Sequence, residues 1–397
     1  MSRQLRPPRS RHHLSEHDAA KPTWLELFYD LVFVALFIQI GNLLSHHLDT
    51  AGFLKVLVLF APLWWVWANV AWYMNRFDVD DVPHRLLLLV QIFFIAWMGL
   101  SVPQAFGDHS TQFVVCYIGF RLTMIAMYLR SLRHAPQQRQ LLIRHISHFH
   151  GPGALLWGLS LLLPPEQRPL VWVATFLWEA GNTLMPRFQA LMRQFPVHTH
   201  HLVERFGTLI ILVLGETFIK SITVDPAPAL SLQAGLFSAL AITTFFGLWW
   251  LYFTAIDGEN AAESTVCVGN PIPWIFAHLP LGLVLIISAV AKSKLFQSVI
   301  SGHANALYAA LYLATLAAFF LLLCVVAGDR RHGAVAARLG AAGVFALLVP
   351  VALLWPLPPM LVAAIATGVI AIMVARDVAL QRNTSPMVRL SNRRSIH

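Results

Sequence analysis

Apolar runs of about twenty residues recur from residue 24 to residue 376, each long enough to cross ~30 Å of hydrocarbon as a helix. Backbone inside lipid must satisfy its own N–H and C=O groups, and continuous apolar runs of this length do so as α-helices. Composition agrees: of 397 residues, 57% are hydrophobic and only 12% charged, with a mean hydropathy of +0.63. The expected fold class is an all-α polytopic membrane protein. Twelve spans are expected, near 24–46, 53–74, 84–106, 111–131, 146–163, 169–192, 202–224, 231–256, 273–297, 304–327, 334–355 and 357–376.

Charge fixes the expected orientation. With the N-terminus cytosolic, 21 Lys and Arg fall on the inner side and 5 outside: Lys55, Arg168, Lys220, Lys292 and Lys294. Arg121 and Arg205 fall within spans. Cytoplasmic loops carry the excess of basic residues, so both termini are expected inside, with an even number of spans between them. The net charge of +9 thus reflects topology, and nucleic acid is not an expected partner. Residues 1–21 and 378–397 read as basic cytosolic tails, the first of them disordered and without the apolar core of a signal peptide. Cys116, Cys267 and Cys324 are too few and too scattered for a disulfide framework or a zinc ligand set.

The chain echoes itself. Glu26 and Phe28 recur 178 residues on as Glu204 and Phe206; Trp64-Trp65 recur as Trp249-Trp250; Asp78 recurs as Asp257, and His84 as His278. Residues 22–197 and 198–377 are therefore expected to be two parallel six-helix repeats, with any central site between them.

Ionisable residues inside spans cost roughly 2.5–3.5 kcal/mol each on insertion scales and need partners or water. The span opening TWLELFYDLVFV carries Glu26 and Asp30, stacked one turn apart. The span LVERFGTLIILVLGETFIKSITV carries Glu204, Arg205 and Glu216. Arg205 and Glu216, eleven apart, share a face, whereas Glu204 looks elsewhere with Thr208 and Gly215. Arg121 lies mid-span in CYIGFRLTMIAMYL and Glu179 in FLWEAGNTL, with Asn182 one turn on. Arg121 must find an acid, and Glu179, Asp30 and Glu216 are the candidates. Two readings of these charges stand open: interhelical bridges, or groups on a proton or cation path.

Histidines gather on the expected cytosolic side: His145, His148 and His150 in RHISHFHG, and His198, His200 and His201 in VHTHHLVER. Neutral imidazole is a common metal ligand, so a membrane-embedded metal enzyme is the alternative these residues raise. Trp64, Trp65, Trp67 and Trp72 read as packing and interfacial belt. No Gly-rich phosphate loop, serine nucleophile elbow or CxxC occurs, so neither a cofactor nor a catalytic residue is expected.

PTWLELFYDLVFVALFIQI and HLVERFGTLIILVLGETFI resemble the two signature stretches of the bacterial low-temperature-requirement protein A family. Glu26, Phe28, Asp30, Val32 and Phe33 match the first; His201, Glu204, Arg205, Phe206, Gly207, Leu214, Gly215 and Glu216 match the second. The resemblance implies a multi-pass protein of the bacterial inner membrane linked to growth in the cold. More distantly, the duplicated six-span layout is similar to the lysosomal potassium/proton channel family, whose first helix in each half lines the pore. This chain has Tyr29 where that family has Ser, and Thr208 where it has Asp. The expected function is a channel-like or secondary transporter of a proton, monovalent cation or small solute. Its expected charge site is Glu26, Asp30, Arg121, Glu179, Glu204, Arg205 and Glu216, supported by Phe28, His84, His201, Gly215, Asp257 and His278. The other alternative is a non-transporting membrane component needed in the cold.

Overall fold

The computed structural model describes residues 8–10, 23–222, 231–256, 270–328 and 332–394. The helices are α1 (Trp24–His46), α2 (Thr50–Arg76), α3 (Val82–Ser101), α4 (Ser110–Leu132), α5 (Arg139–His145), α6 (Gly151–Ser160), α7 (Arg168–Leu184) and α8 (Pro186–Gln194). They continue with α9 (Thr199–Ile222), α10 (Leu232–Ile256), α11 (Pro271–Ser301), α12 (Ala306–Val326), α13 (His332–Leu354) and α14 (Pro359–Arg394). Among the described residues nine helices are long and apolar enough to span a membrane, so the chain is an all-α, multi-pass membrane protein.

Each of the twelve expected spans coincides with helix, but three fall outside those nine. The fifth is broken: a π-helical turn, Ile146–His150, separates α5 from α6. The sixth divides at Met185–Pro186 into α7 and α8, since the extended backbone at Met185 is what a following proline favours. The seventh, α9, is 24 residues long but carries Glu204, Arg205, Glu216 and Lys220.

Local sequence explains the helix starts. Thr23 caps α1: its Oγ1 accepts from Glu26 N–H at 3.3 Å and donates to the Glu26 carboxylate at 3.2 Å. Asp49 caps α2 through Gly52 N–H, and Asp81 caps α3 through His84 N–H. The π-turn has its cause in Pro152, which has no N–H to give the His148 carbonyl. Trp178 Nε1 and Asn182 Nδ2 donate to that carbonyl instead, each at 3.4 Å. α11 ends at Ser301 before Gly302, whose φ of 72° lies in the left-handed region open to glycine.

The chain divides into two compact units. The first comprises residues 1–213 and 265–279, the second 214–264 and 280–397. The divisions fall inside α9 and inside α11. In the first unit α1 packs on α3, α3 on α4, and α4 on α6. Residues Arg9–Ser10 pair antiparallel with Phe77–Asp78, so part of the N-terminal tail expected to be disordered is ordered against the end of α2. In the second unit α12 packs on α13 and α10 on α14, where Thr244 and Thr367 exchange a 2.9 Å hydrogen bond.

Candidate functional site

Among the described residues, the first unit holds two buried charge clusters and a cavity. In the first cluster, Glu26 and Asp30 stand one turn apart on α1 and face α9. Arg205 bridges both: its guanidinium is 2.9 Å from Asp30 Oδ1 and 3.3 Å from Glu26 Oε2. From α2, Trp67 Nε1 donates to the same Asp30 oxygen at 2.8 Å, and its ring lies 5.9 Å from the Arg205 guanidinium. His201, one turn before Arg205, is 3.0 Å from Glu26 Oε2 through Nε2.

The tautomer of His201 follows from its neighbours. Asn75 Nδ2 donates to the His198 carbonyl at 2.8 Å, and Asn75 Oδ1 accepts from His198 N–H at 2.9 Å. Those two backbone bonds fix the amide, so an N–H of Asn75 faces His201 Nδ1 at 3.4 Å. Nδ1 therefore accepts, and the ring proton sits on Nε2, donated to Glu26. One guanidinium thus serves two carboxylates, with a neutral imidazole beside the first.

The second cluster joins α4, α7 and α2. Arg121 lies 2.7 Å from Glu179 Oε2, and the same nitrogen donates to Tyr117 Oη at 2.7 Å. Arg121 also reaches His150 Nδ1 at 3.3 Å, and Trp65 Nε1 donates to Glu179. Gly153 makes room for the pair, since a Cβ there would run into the Glu179 carboxylate and lie 3.3 Å from the Arg121 guanidinium carbon. Of the three acids open to Arg121, it takes Glu179.

A cavity in the same unit includes Trp65 and Phe206 in its lining. One face of α2 (Trp65, Ala68, Asn69, Trp72) forms a wall, and His145, Phe149, Phe188, Phe206 and Phe276 contribute others. Its volume is about 30 Å³, more than the roughly 10–15 Å³ that one water needs. Trp65 ties this wall to Glu179, and Phe206 packs edge-on at 4.8 Å against Trp67, the donor to Asp30.

Several expectations change. Glu204 is exposed, not buried, because it lies off the face that carries His201 and Arg205. The sequence echo of Glu26 therefore does not reproduce its environment. Phe28 is 54% exposed on α1. Arg205 and Glu216 are both buried, but Arg205 belongs to the first unit and Glu216 to the second. Gly215 has nothing near its missing Cβ, so no close helix approach explains it. His84 is buried in the first turn of α3, stacked on Tyr73. His278 donates to the Trp274 carbonyl at 2.8 Å and packs on Phe206. Asp257 lies outside the described residues.

The histidines disperse rather than converge. His145 bonds the Leu141 carbonyl, His148 bonds Ser147, His150 joins Arg121, His201 joins Glu26, and His200 is exposed. His198 caps α9, its ring accepting from His201 N–H at 3.3 Å. Among the described residues no three His, Cys, Asp or Glu side chains are placed to hold a metal.

Residue-type reasoning missed four kinds of participant. Trp65 and Trp67 are hydrogen-bond donors to buried acids, not merely packing. Tyr117 and Asn75 orient Arg121 and His201. Lys292, counted on the outer side near the end of the expected span 273–297, is buried within α11, which runs on to Ser301, and it feels the charge of Glu216 in the same unit. The acids in the spans were the available signal: each needs donors, and tryptophan is the donor-only ring.

Comparison with known proteins places these residues in a wider group. The model of the family described as bacterial low temperature requirement A protein matches residues 21–375. An uncharacterized protein of Rhizobium meliloti (strain 1021) is 26% identical over 293 residues, covering 69% of each chain. No solved structure matches.

Proposed function

The chain belongs to the bacterial low temperature requirement A family, and from that premise we propose that it is a transport protein of the bacterial inner membrane, channel-like or a secondary transporter. One observation carries the reading. Two buried carboxylates on a membrane-spanning helix, Glu26 and Asp30, share the guanidinium of Arg205, and a neutral imidazole donates to the first. Ionisable groups held inside membrane helices mark ion and proton routes, and a carboxylate hydrogen-bonded to imidazole is a pair that exchanges a proton readily. A proton taken up by Glu26 or His201 changes the charge that Arg205 balances, and Arg205 passes that change to Asp30. The moved species is a proton, a monovalent cation or a small solute coupled to one of these. Arg121 with Glu179 is a one-to-one bridge closed by Trp65 and Tyr117, and we assign it to holding α4, α7 and α2 together.

A specific observation also supports a non-transporting membrane component: Asp30 has both a cation and an indole donor, as a purely structural bridge would. Flux separates the two readings. Purified protein in liposomes is expected to dissipate an imposed proton, K⁺ or Na⁺ gradient. The Glu26→Gln variant, which keeps a group able to hydrogen-bond His201, is expected to remain folded and lose that flux. Wild-type protein that moves none of the three ions overturns transport of an ion and leaves the structural reading.

A further inference from the structure

Four of the side chains that line the cavity carry polar groups: Asn69 and Trp72 on α2, His145 at the end of α5 and Thr183 on α7. The bonds they already make define what they still offer. Trp72 Nε1 is buried and has no acceptor among the described residues. Asn69 Nδ2 donates to the Trp65 carbonyl at 2.7 Å, which orients the amide and leaves Oδ1 as an acceptor. His145 Nδ1 lies 2.8 Å from the Leu141 carbonyl; a carbonyl only accepts, so Nδ1 carries the proton and Nε2 is a second acceptor. Thr183 Oγ1 donates to the Ala180 carbonyl at 2.6 Å and keeps its lone pairs, a third. These walls offer one indole donor and three acceptors; others, such as Phe149, Phe206 and Phe276, are apolar rings.

We propose that the cavity is a hydration site holding two or three ordered waters, which accept from Trp72 and donate to Asn69, His145 and Thr183. Size sets the number. About 30 Å³, shared among waters that need roughly 10–15 Å³ each, takes two or three. Hydrogen bonding sets the identity. A buried donor left without an acceptor is costly, and an apolar guest would leave Trp72 in that state. Water supplies both the acceptor that Trp72 lacks and the hydrogens that three acceptors take. Charge argues against other guests of this size. Three acceptors disfavour an anion, and the positive charge of Arg76, which reaches His145, disfavours a cation. Hydration here goes beyond the transport reading, because the waters occupy the cavity whether or not anything crosses the membrane.

The test is nuclear magnetic resonance of the full chain in detergent with isotope-labelled tryptophan, the Trp64 and Trp72 indole signals being identified by their loss in Trp64→Phe and Trp72→Phe. Trp64 is the control: its Nε1 is likewise buried without a partner among the described residues, but Trp64 does not line the cavity. The Trp72 N–H is expected to receive magnetisation from a bound water and to stay sharp when a paramagnetic agent is added to the bulk solvent. The Trp64 N–H is expected to receive none. Ala68→Leu, which fills the cavity, is expected to abolish the transfer to Trp72, and Ala68→Ser, which barely changes the volume, to keep it. If Ala68→Leu fails to fold, the contrast between Trp72 and Trp64 in the wild type decides. The proposal is overturned if Trp72 receives no transfer, as in a dry void, or if Trp64 receives as much. Broadening of Trp72 by the bulk agent, or transfer that survives in folded Ala68→Leu, overturns it equally.

Discussion

An indole N–H aimed at a buried carboxylate contributes more than the packing of its ring. Trp67 donates to Asp30, whereas Trp64, three residues earlier on α2, is equally buried with no acceptor for its Nε1. Hydrogen bonds to charged groups are worth about 1.5–3 kcal/mol, so Trp67→Phe is expected to destabilise the protein by roughly that amount. Trp64→Phe removes no such bond and is expected to cost well under half as much. Unfolding midpoints of the two variants in one detergent check the contrast, and equal losses would refute it. The charged partners themselves were legible: an arginine in mid-span requires an acid, and Glu179 was among three named. Which acid it takes was not legible, because helix faces read from periodicity leave helix neighbours undetermined. Glu204, read as facing away from Arg205 and Glu216, lies on an exposed face, since a charge inside an apolar run need not be buried.

At the level of single elements, Pro152 and Gly153 decide how the broken fifth span behaves. Pro152 frees a carbonyl that Asn182 and Trp178 recover from α7, and Gly153, the next residue, admits the Arg121–Glu179 pair. Alanine usually stabilises a helix interior over glycine by about 0.5–1 kcal/mol. Gly158→Ala, whose new Cβ would meet Ile118 at 3.8 Å, is expected to follow that rule. Gly153→Ala is expected to reverse it, lowering the unfolding midpoint by displacing Glu179 or Arg121. A stabilised Gly153→Ala protein would contradict the packing described for this pair. The sequence shows the glycines and the proline here, but not which glycine faces the ion pair. That depends on α4 and α7 arriving on the same side of α6.

For the whole molecule, the membrane class and nine of the expected spans were readable because apolar length is a local property. The two compact units were not readable, since their divisions fall inside the uninterrupted helices α9 and α11. Lys292 shows the limit: it was counted with the outer basic residues, yet it is buried within α11, which runs on to Ser301. Removing it from the outer group strengthens the basic bias toward the other side, so both termini remain expected in the cytoplasm. A green fluorescent protein fused after His397 is expected to fluoresce, and alkaline phosphatase at the same point to stay inactive; the opposite pair of readings would invert the topology.

Arg205 gives the membrane-embedded centre an unequal tolerance to change. Either acid can be neutralised and the arginine still keeps a carboxylate, whereas loss of the arginine takes a charge partner from two carboxylates at once. Mutational drift through this cluster is therefore one-sided: the anions are exchanged in turn at less cost than the cation that joins them.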